Sequence, residues 1–366
     1  MHFIIGANLV DSRTTGLGRQ MHGLGEALSN RGHRVDYLFA DPETSDRKSS
    51  RLTFPVEAVA KIRSRLQKEG APAIALLHEP TAWATALLLP RRVRTVAMVH
   101  NCEIKCWASK LATYRESGES VALRSRLLWP LTELTQSYAS LRSAAAVFCL
   151  STEDLNYMHR TLRVSLGRLQ RIDNGLEPSF LGLSFPESLP ERDVLFVGHW
   201  LPHKGIRFLT AALDRLAATG VRPRVTLAGT GSTRDAIASS LPSSLRSTVE
   251  ILPYVAPEDL VRLYQRHWIF VLPSIIEGIP LSMLEAMASG LCPIVSNVGG
   301  VPDVIVNGVN GILVPRLNTD ALAEALARCL NAPGETRQIA RRAQADMQGY
   351  GWSRVAEQVE TACRNL

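Results

Sequence analysis

Short, almost wholly apolar runs alternate with amphipathic segments along most of this chain. In the first half, the apolar runs lie at 2–7, 34–40, 73–78, 94–100 and 144–150. Runs of this length without a polar alternation are typical of parallel strands that are covered on both faces. Because helical segments separate them, the pattern predicts an α/β fold built on a parallel sheet.

The same alternation starts again after residues 177–191, which are rich in Pro, Ser and Glu and are typical of a linker. We therefore predict two doubly wound domains, residues 1–176 and 192–350, with a cleft between them and a last helix within 351–366. In the second domain, strands are predicted at 194–198, 224–229, 249–252, 268–272, 292–297 and 311–314. Helices are predicted at 14–30, 55–70, 205–218 and 257–264.

The formal net charge is +7, and the first 180 residues carry the whole of this excess. A basic half indicates contact with an anionic membrane surface or a phosphorylated substrate, and no nucleic-acid motif accompanies it. Between 101 and 142, basic residues such as Arg124 and Arg126 stand near Trp107 and Trp129. This mixture fits either a membrane-surface helix or an ordinary solvated helix.

The first ten residues predict a buried strand rather than a signal peptide, and no apolar run approaches the ~18 residues of a spanning helix. We therefore expect a cytoplasmic protein, at the inner face of the membrane if its basic half meets lipid. The six cysteines form no C-x-x-C pair. Cys102 and Cys106 lie near His100, but free cysteines are commonly small buried hydrophobes, so no metal site is predicted.

The stretch 274–290 joins the end of a predicted strand to a short helix. Pro280 suits the first turn of that helix, and Gly290 suits its end. The first N–H groups of a helix have no partner within it, so they can bind an anion such as a phosphate. Glu277 in the loop and Glu285 about one turn into the helix place two carboxylates along this anion site.

Candidate residues in the first half lie at predicted strand ends. Gly16 and Gly18 would let the backbone approach a ligand, although a tight strand-to-helix turn explains them equally well. His78 and His100 end their strands where ligands bind in open sheets, although either histidine can be purely structural. The full glycine fingerprint and its acidic partner are missing, which excludes a pyridine-nucleotide dehydrogenase.

Five motifs of the second half resemble the donor domain of retaining glycosyltransferase family 4. They are Phe196 to Gly205, Leu227 to Gly231, Tyr254-Val255, Glu277 to Gly290, and Gly299 to Pro315. In the first half, Thr15 to Arg19, Arg31 to His33, His100 and Asn174-Gly175 resemble the same family, so the similarity covers most of the chain. The resemblance implies the GT-B fold, with two facing Rossmann-like domains, a nucleotide-sugar donor in the second and an acceptor in the first. It also implies that the last helix crosses back to the first domain.

The resemblance assigns roles to single residues. Glu277 matches the glutamate that lies against the donor sugar hydroxyls, Glu285 the one that binds the nucleotide ribose, and Lys204 the lysine that neutralises the leaving diphosphate. Gly16 matches the glycine beside that diphosphate, and His100 the histidine beside the sugar ring. The other predicted donor-binding residues are His199, Gly231, Tyr254, Val255, Gly278, Ile279, Leu281 and Ser282. The predicted acceptor-side residues are Gly18, Arg19 and His78.

One position departs from the family pattern. The family has an arginine directly after the glycine that Gly198 matches, and this chain has His199 there. Three explanations stay open. His199 acts in weaker form, or an arginine (Arg13, Arg19 or Arg207) supplies the charge, or activity is low.

The resemblance thus implies a retaining glycosyltransferase, which we expect to need no cofactor or metal and to act in the synthesis of a cell-surface polysaccharide or glycoconjugate. The basic first half favours a lipid-linked or membrane-bound acceptor over a free soluble sugar. Two alternatives are a sugar-nucleotide epimerase of the same fold and a binding subunit that has lost catalysis.

Overall fold

A computed structural model of the chain describes residues 1–13, 15–42, 50–67, 73–117, 130–188 and 192–366. These residues divide into two compact units. The first comprises Met1–Gly175 together with Trp352–Leu366, and the second comprises Leu176–Gly351. None of the helices in the described ranges is long and apolar enough to cross a membrane.

The first unit contains a six-stranded parallel sheet. Its strands are β1 His2–Ala7, β2 Arg34–Phe39, β3 Ala73–His78, β4 Val93–Val99, β5 Ala146–Cys149 and β6 Leu169–Arg171. Its helices are α1 Gly16–Asn30, α2 Ser50–Gln67, α3 Ala82–Leu88, α4 Glu103–Ser117, α5 Thr135–Ser143 and α6 Thr152–Arg160, with α13 Trp352–Arg364 from the end of the chain. The strand order is β2-β1-β3-β4-β5-β6, so the winding direction reverses between β1 and β3. In open α/β sheets, ligands bind at the carboxyl ends of the strands beside such a reversal.

The second unit contains another six-stranded parallel sheet. Its strands are β7 Arg192–Val197, β8 Val225–Ala228, β9 Val249–Leu252, β10 His267–Leu272, β11 Cys292–Ser296 and β12 Ile312–Val314. Its helices are α7 Ile206–Ala218, α8 Arg234–Ser240, α9 Leu260–Gln265, α10 Leu281–Ala288, α11 Thr319–Asn331 and α12 Pro333–Asp346. The order β12-β11-β10-β7-β8-β9 is that of a dinucleotide-binding sheet, with its switch point between β7 and β10.

Apolar sequence explains why the central strands lie where they do. All six residues of β1 and all six of β10 are buried, because helices cover both faces of each sheet. At the start of α1, the hydroxyl of Thr15 accepts a hydrogen bond from the Gly18 N–H at 3.1 Å. This cap ends the turn after β1 and fixes where the helix begins.

Helix α13 packs against α1 within the first unit. The indole of Trp352 fills space beside Gly23 and Gly175, where an added Cβ would lie 2.2 Å and 2.4 Å from ring atoms. Glu360 binds the side chain of Arg31 at 2.7 Å and is also paired with Arg364. The hydrogen bond from Arg31 is the main reason that the pKa of Glu360 is lowered to about 2.

The predicted alternation of strands and helices is present, but several boundaries were wrong. Helix α2 begins five residues before the predicted start and contains Pro55. Gly205 is a left-handed residue before α7, and residues 257–259 form a 3-10 turn before α9. Pro280 is the N-cap of α10 and not its first helical residue. Arg124, Arg126, Trp129 and residues 14, 68–70 and 189–191, which earlier predictions included, lie outside the described residues.

Candidate active site

The site in the second unit begins where β7 and β10 end side by side. These strands are hydrogen-bonded neighbours, with Leu195 opposite Phe270, so the loops that follow them start together. The Ile275 N–H donates to the His203 carbonyl at 2.8 Å and ties the two loops. Gly205 has a φ of 72°, and a Cβ there would lie 1.8 Å from the Pro273 carbonyl oxygen. Only glycine fits this close crossing.

The crossing brings Lys204 and Glu277 together. The Lys204 Nζ lies 2.6 Å from the Glu277 Oε1, and the Ser274 hydroxyl donates to the same oxygen at 2.7 Å. Glu277 is 7% exposed and Ser274 is 1% exposed, so solvent screens this pair weakly. The result is a fixed cation and a fixed carboxylate at the switch point of the sheet.

The loop from Glu277 to Pro280 is also held from its other side. The Gly300 N–H donates to the Gly278 carbonyl at 2.9 Å. Gly299 has a φ of 56°, and a Cβ there would lie 1.8 Å from the Glu277 carbonyl oxygen. Helix α10 then begins with Pro280 at its N-cap, and no side chain caps it. The first N–H groups of α10, at the partly buried Leu281 and Ser282, are therefore available to an anion.

Glu285 lies one turn along α10 and is 2% exposed. The hydroxyl of Tyr264, from α9, donates to the Glu285 Oε2 at 2.8 Å, and Tyr264 is itself fully buried. Sequence reasoning missed Tyr264, because a tyrosine on the apolar face of a helix also fits an ordinary core residue. The contact fixes the orientation of the Glu285 carboxylate.

The remaining predicted donor residues of the second unit lie after β7, β8, β9 and β10, at the same carboxyl edge of the sheet. His199 is exposed, and its ring lies 2.9 Å from where a Cβ of Gly231 would stand, so Gly231 makes room for it. Tyr254 is 65% exposed and Val255 is partly buried, whereas Ile279 is only 5% exposed.

Two of the arginines that could supply the missing positive charge have partners. Arg13 pairs with Glu26 in the first unit. Arg207 lies on α7 with its guanidinium 5.1 Å from the Phe208 ring centre.

The glycines of the first unit differ in their surroundings. A Cβ on Gly16 would meet nothing within 4 Å, so this backbone is open to a ligand. A Cβ on Gly18 would lie 1.8 Å from the Ser12 carbonyl oxygen, and Gly18 is buried. Close packing within the turn therefore accounts for Gly18. Arg19, the next residue, is partly buried.

His78 and His100 stack at the carboxyl ends of β3 and β4, with ring centres 5.6 Å apart and planes 14° apart. Burial lowers the pKa of His78 to about 4. Burial, with a smaller contribution from His78, lowers the pKa of His100 to about 3. Both rings are therefore neutral near pH 7. Neither ring nitrogen of His100 has a hydrogen-bond partner among the described residues.

His100 also borders a cavity of about 20 Å³, which is enough for a single water. The cavity lies between the sheet, α1 and α13, and its polar lining includes Gln20, Asp173 and Asn174. The indole nitrogen of Trp352, which also lines it, has no hydrogen-bond partner among the described residues. The spacing of these residues along the sequence gave no signal of this cavity.

Two Rossmann-like units in one chain are the architecture of the GT-B class of proteins, and this chain has that fold. Family models support this assignment on both halves. Residues 14–180 match the model described as Glycosyltransferase Family 4, and residues 184–346 match the model described as Glycosyl transferases group 1. The chain belongs to the group 1, family 4-like glycosyltransferases.

Individual relatives agree with this family. An uncharacterized glycosyltransferase of Methanocaldococcus jannaschii is 32% identical over 170 residues, which cover 46% of this chain and 43% of that protein. Glycogen synthase of Mycobacterium tuberculosis is 25% identical over 381 residues, covering 93% of this chain and 89% of that protein. The chain thus spans less than half of the first relative and most of the second. The structure of sucrose-phosphate synthase from Thermosynechococcus elongatus matches with a TM-score of 0.81 at 21% identity, covering 100% of this chain and 99% of that chain, which shows the shared fold.

Proposed function

We propose that this protein transfers a sugar from a nucleoside diphosphate sugar to an acceptor hydroxyl, with retention of the anomeric configuration. The observation that carries the proposal is the contact between Lys204 and Glu277, at 2.6 Å, beside the uncapped start of α10. A cation and free helical N–H groups suit a diphosphate. A carboxylate next to them suits the hydroxyls of the attached sugar.

In the proposed reaction, the bond from the anomeric carbon to the diphosphate oxygen breaks, and its electron pair stays on that oxygen. Lys204 and the positive end of the α10 dipole stabilise the negative charge that develops there. Glu277 accepts hydrogen bonds from the donor sugar and holds its orientation. The acceptor oxygen forms the new bond to the anomeric carbon on the face from which the diphosphate leaves. The departing phosphate oxygen takes the proton of the acceptor hydroxyl on that same face, and this geometry gives retention.

The nucleotide end of the donor would extend towards Glu285. Its carboxylate is held by Tyr264, so it is positioned to accept hydrogen bonds from two adjacent ribose hydroxyls. In the first unit, neutral His100 would lie beside the sugar, with Gly16 near the diphosphate. We assign the acceptor to the first unit, and its excess of basic residues favours a lipid-linked glycan that carries phosphate.

Lys204 and the helix dipole would take the place of a metal ion, so turnover should not need one. Turnover that disappears with EDTA and returns with magnesium or manganese would contradict this part of the proposal. Turnover that is unchanged by EDTA agrees with it.

The test of the reaction is release of nucleoside diphosphate from UDP-, GDP-, ADP- and dTDP-sugars, with and without lipid-linked glycan acceptors. Release that depends on the acceptor supports a transferase, and the anomeric configuration of the product, read by NMR, tests retention. A changed sugar without release would instead indicate an epimerase.

A binding subunit without catalysis is the second candidate, because exposed His199 stands where the family has an arginine. Nucleotide binding without release or epimerisation would favour it. In that case, replacing His199 by arginine should produce turnover.

A further inference from the structure

The opposite, amino-terminal edge of the first sheet carries three neighbouring loops, which precede β4, β5 and β6. We name the exposed side chains of residues 87–94, 141–145 and 163–168 the basic rim. The Ala145 N–H, in the second loop, donates at 2.8 Å to the carbonyl of Thr95, which lies in β4 directly after the first loop. The Arg142 guanidinium donates to the Arg163 carbonyl at 3.0 Å and joins the second to the third. The basic rim is therefore one continuous surface.

Large apolar side chains project from this surface. Leu87 is 62% exposed, Leu88 is 48% exposed and Leu166 is 55% exposed. Transfer of a leucine side chain out of water is favourable by about 1.5–3 kcal/mol. Three exposed leucines on one edge therefore favour contact with an apolar phase.

Positive charge surrounds the leucines. Arg91, Arg92 and Arg94 are exposed and make no ion pair with any residue that the structure describes. The sequence has no Asp or Glu from 80 to 102, from 134 to 152 or from 155 to 172. Burial, and after it the charge of Arg142, lowers the pKa of Arg168, which shows how closely the arginines are placed.

We propose that the basic rim docks on the surface of an anionic phospholipid bilayer. The leucines would enter the boundary between headgroups and acyl chains, and the arginines would contact lipid phosphates. A nucleic acid would engage the arginines but would leave the leucines in water. An acidic protein would also pair the arginines, but the neighbouring leucines favour a partner that offers negative charge and an apolar layer together.

Docking at this edge would hold the ligand-binding edge of the same unit away from the lipid. Strand β4, Val93–Val99, separates the two edges by about 20 Å. Within this unit, His100 would then meet the outer sugars of a lipid-linked glycan rather than the lipid phosphate. The docking itself does not depend on the proposed reaction.

The test is co-sedimentation of the full chain with vesicles of phosphatidylcholine, alone or mixed with phosphatidylglycerol. We expect binding only to the anionic vesicles, weakened by salt. Neutralising Arg91, Arg92 and Arg94 to glutamine should weaken it ~100-fold, since each arginine near an anionic surface contributes ~1 kcal/mol. Leu87→Ser with Leu88→Ser should weaken it by about tenfold or more at unchanged charge.

Matched controls lie in the second unit. Arg222, Arg234 and Arg262 are exposed there, and their triple change to glutamine removes the same charge. Val306→Ser with Val309→Ser changes two exposed apolar residues. Each variant is checked by its thermal melt.

Three outcomes with vesicles would overturn the proposal. The protein could bind neutral and anionic vesicles equally, it could bind neither, or the control variants could lose as much binding as the rim variants. Binding of single-stranded RNA but not of vesicles would assign the rim to nucleic acid and would overturn it too.

Discussion

The amino group of Lys204 lies 2.6 Å from a carboxylate oxygen of Glu277, although 73 positions separate the two residues in sequence. The contact exists because β7 and β10 are neighbours, and because Gly205 lets its loop cross the Pro273 carbonyl. Such a partly buried pair is held in place before any ligand arrives. Preorganised charge of this kind stabilises a transition state without reorganisation during the reaction.

Tyr264→Phe tests how Glu285 is positioned. The change removes one hydroxyl from a fully buried ring, and with it the hydrogen bond to the Glu285 carboxylate. Hydrogen bonds to charged groups contribute about 1.5–3 kcal/mol, so we expect nucleotide affinity to fall about tenfold or more. Because the lost hydrogen bond is to Glu285 and not to Lys204 or Glu277, kcat at saturating donor should change little. Calorimetric titration with nucleoside diphosphate, beside steady-state kinetics, separates the two effects. An unchanged Kd would show that Tyr264 only fills the core.

The stacked histidines make stability depend on pH. The folded-state pKa is about 4 for His78 and about 3 for His100, below the ordinary histidine value near 6.5. Between the folded-state and unfolded-state pKa values, the unfolded chain therefore binds more protons than the folded chain does. The two histidines make their full contribution to the free energy of unfolding above about pH 6.5. As the pH falls from about 6.5 towards 4, the free energy of unfolding decreases by up to about 1.4 kcal/mol per pH unit for each histidine. Urea unfolding across this range, with His78→Asn and with His159→Asn as a control, measures the slope. A slope in His78→Asn as steep as in the wild type contradicts the assignment.

Gly175→Ala should loosen the docking of α13. The new methyl group would lie 2.4 Å from the Trp352 ring, so the ring must move. Overpacking of this kind costs about 1–3 kcal/mol. Gly334→Ala is the control, since a Cβ there meets nothing within 4 Å. Thermal unfolding should show a lower Tm for the first variant alone. Equal melting points would mean that α13 adjusts freely.

Much of this fold was predictable because strands that are buried on both faces appear in the sequence as continuous apolar runs. The all-apolar segment at 268–272 falls within β10 and has five of its six residues, and the predicted strand 73–78 is β3 with both ends correct. Helix starts were less predictable. Pro280 fits both the N-cap and the first helical position, and tertiary contacts decide between them.

The site was only partly predictable. Glu277, Glu285 and Lys204 are visible as motif residues, but the direct contact of Lys204 with Glu277 depends on strand order, which the local sequence does not encode. Tyr264 carries no motif at all. The basic rim was also not predicted as a surface, because its arginines come from three loops that are separate in sequence and that only the sheet brings together.

The central claim is most directly tested by donor turnover in Lys204→Met and Glu277→Gln, each checked for an intact fold by its melt. Removing a cation that stabilises developing charge, as in Lys204→Met, costs on the order of 10²–10³-fold in kcat. Loss of the carboxylate that orients the sugar, as in Glu277→Gln, costs on the order of 10²-fold. We predict losses of these sizes in the two variants, with near wild-type rates in the matched controls Lys61→Met and Glu258→Gln, at exposed positions. Wild-type turnover in either Lys204→Met or Glu277→Gln would contradict the account.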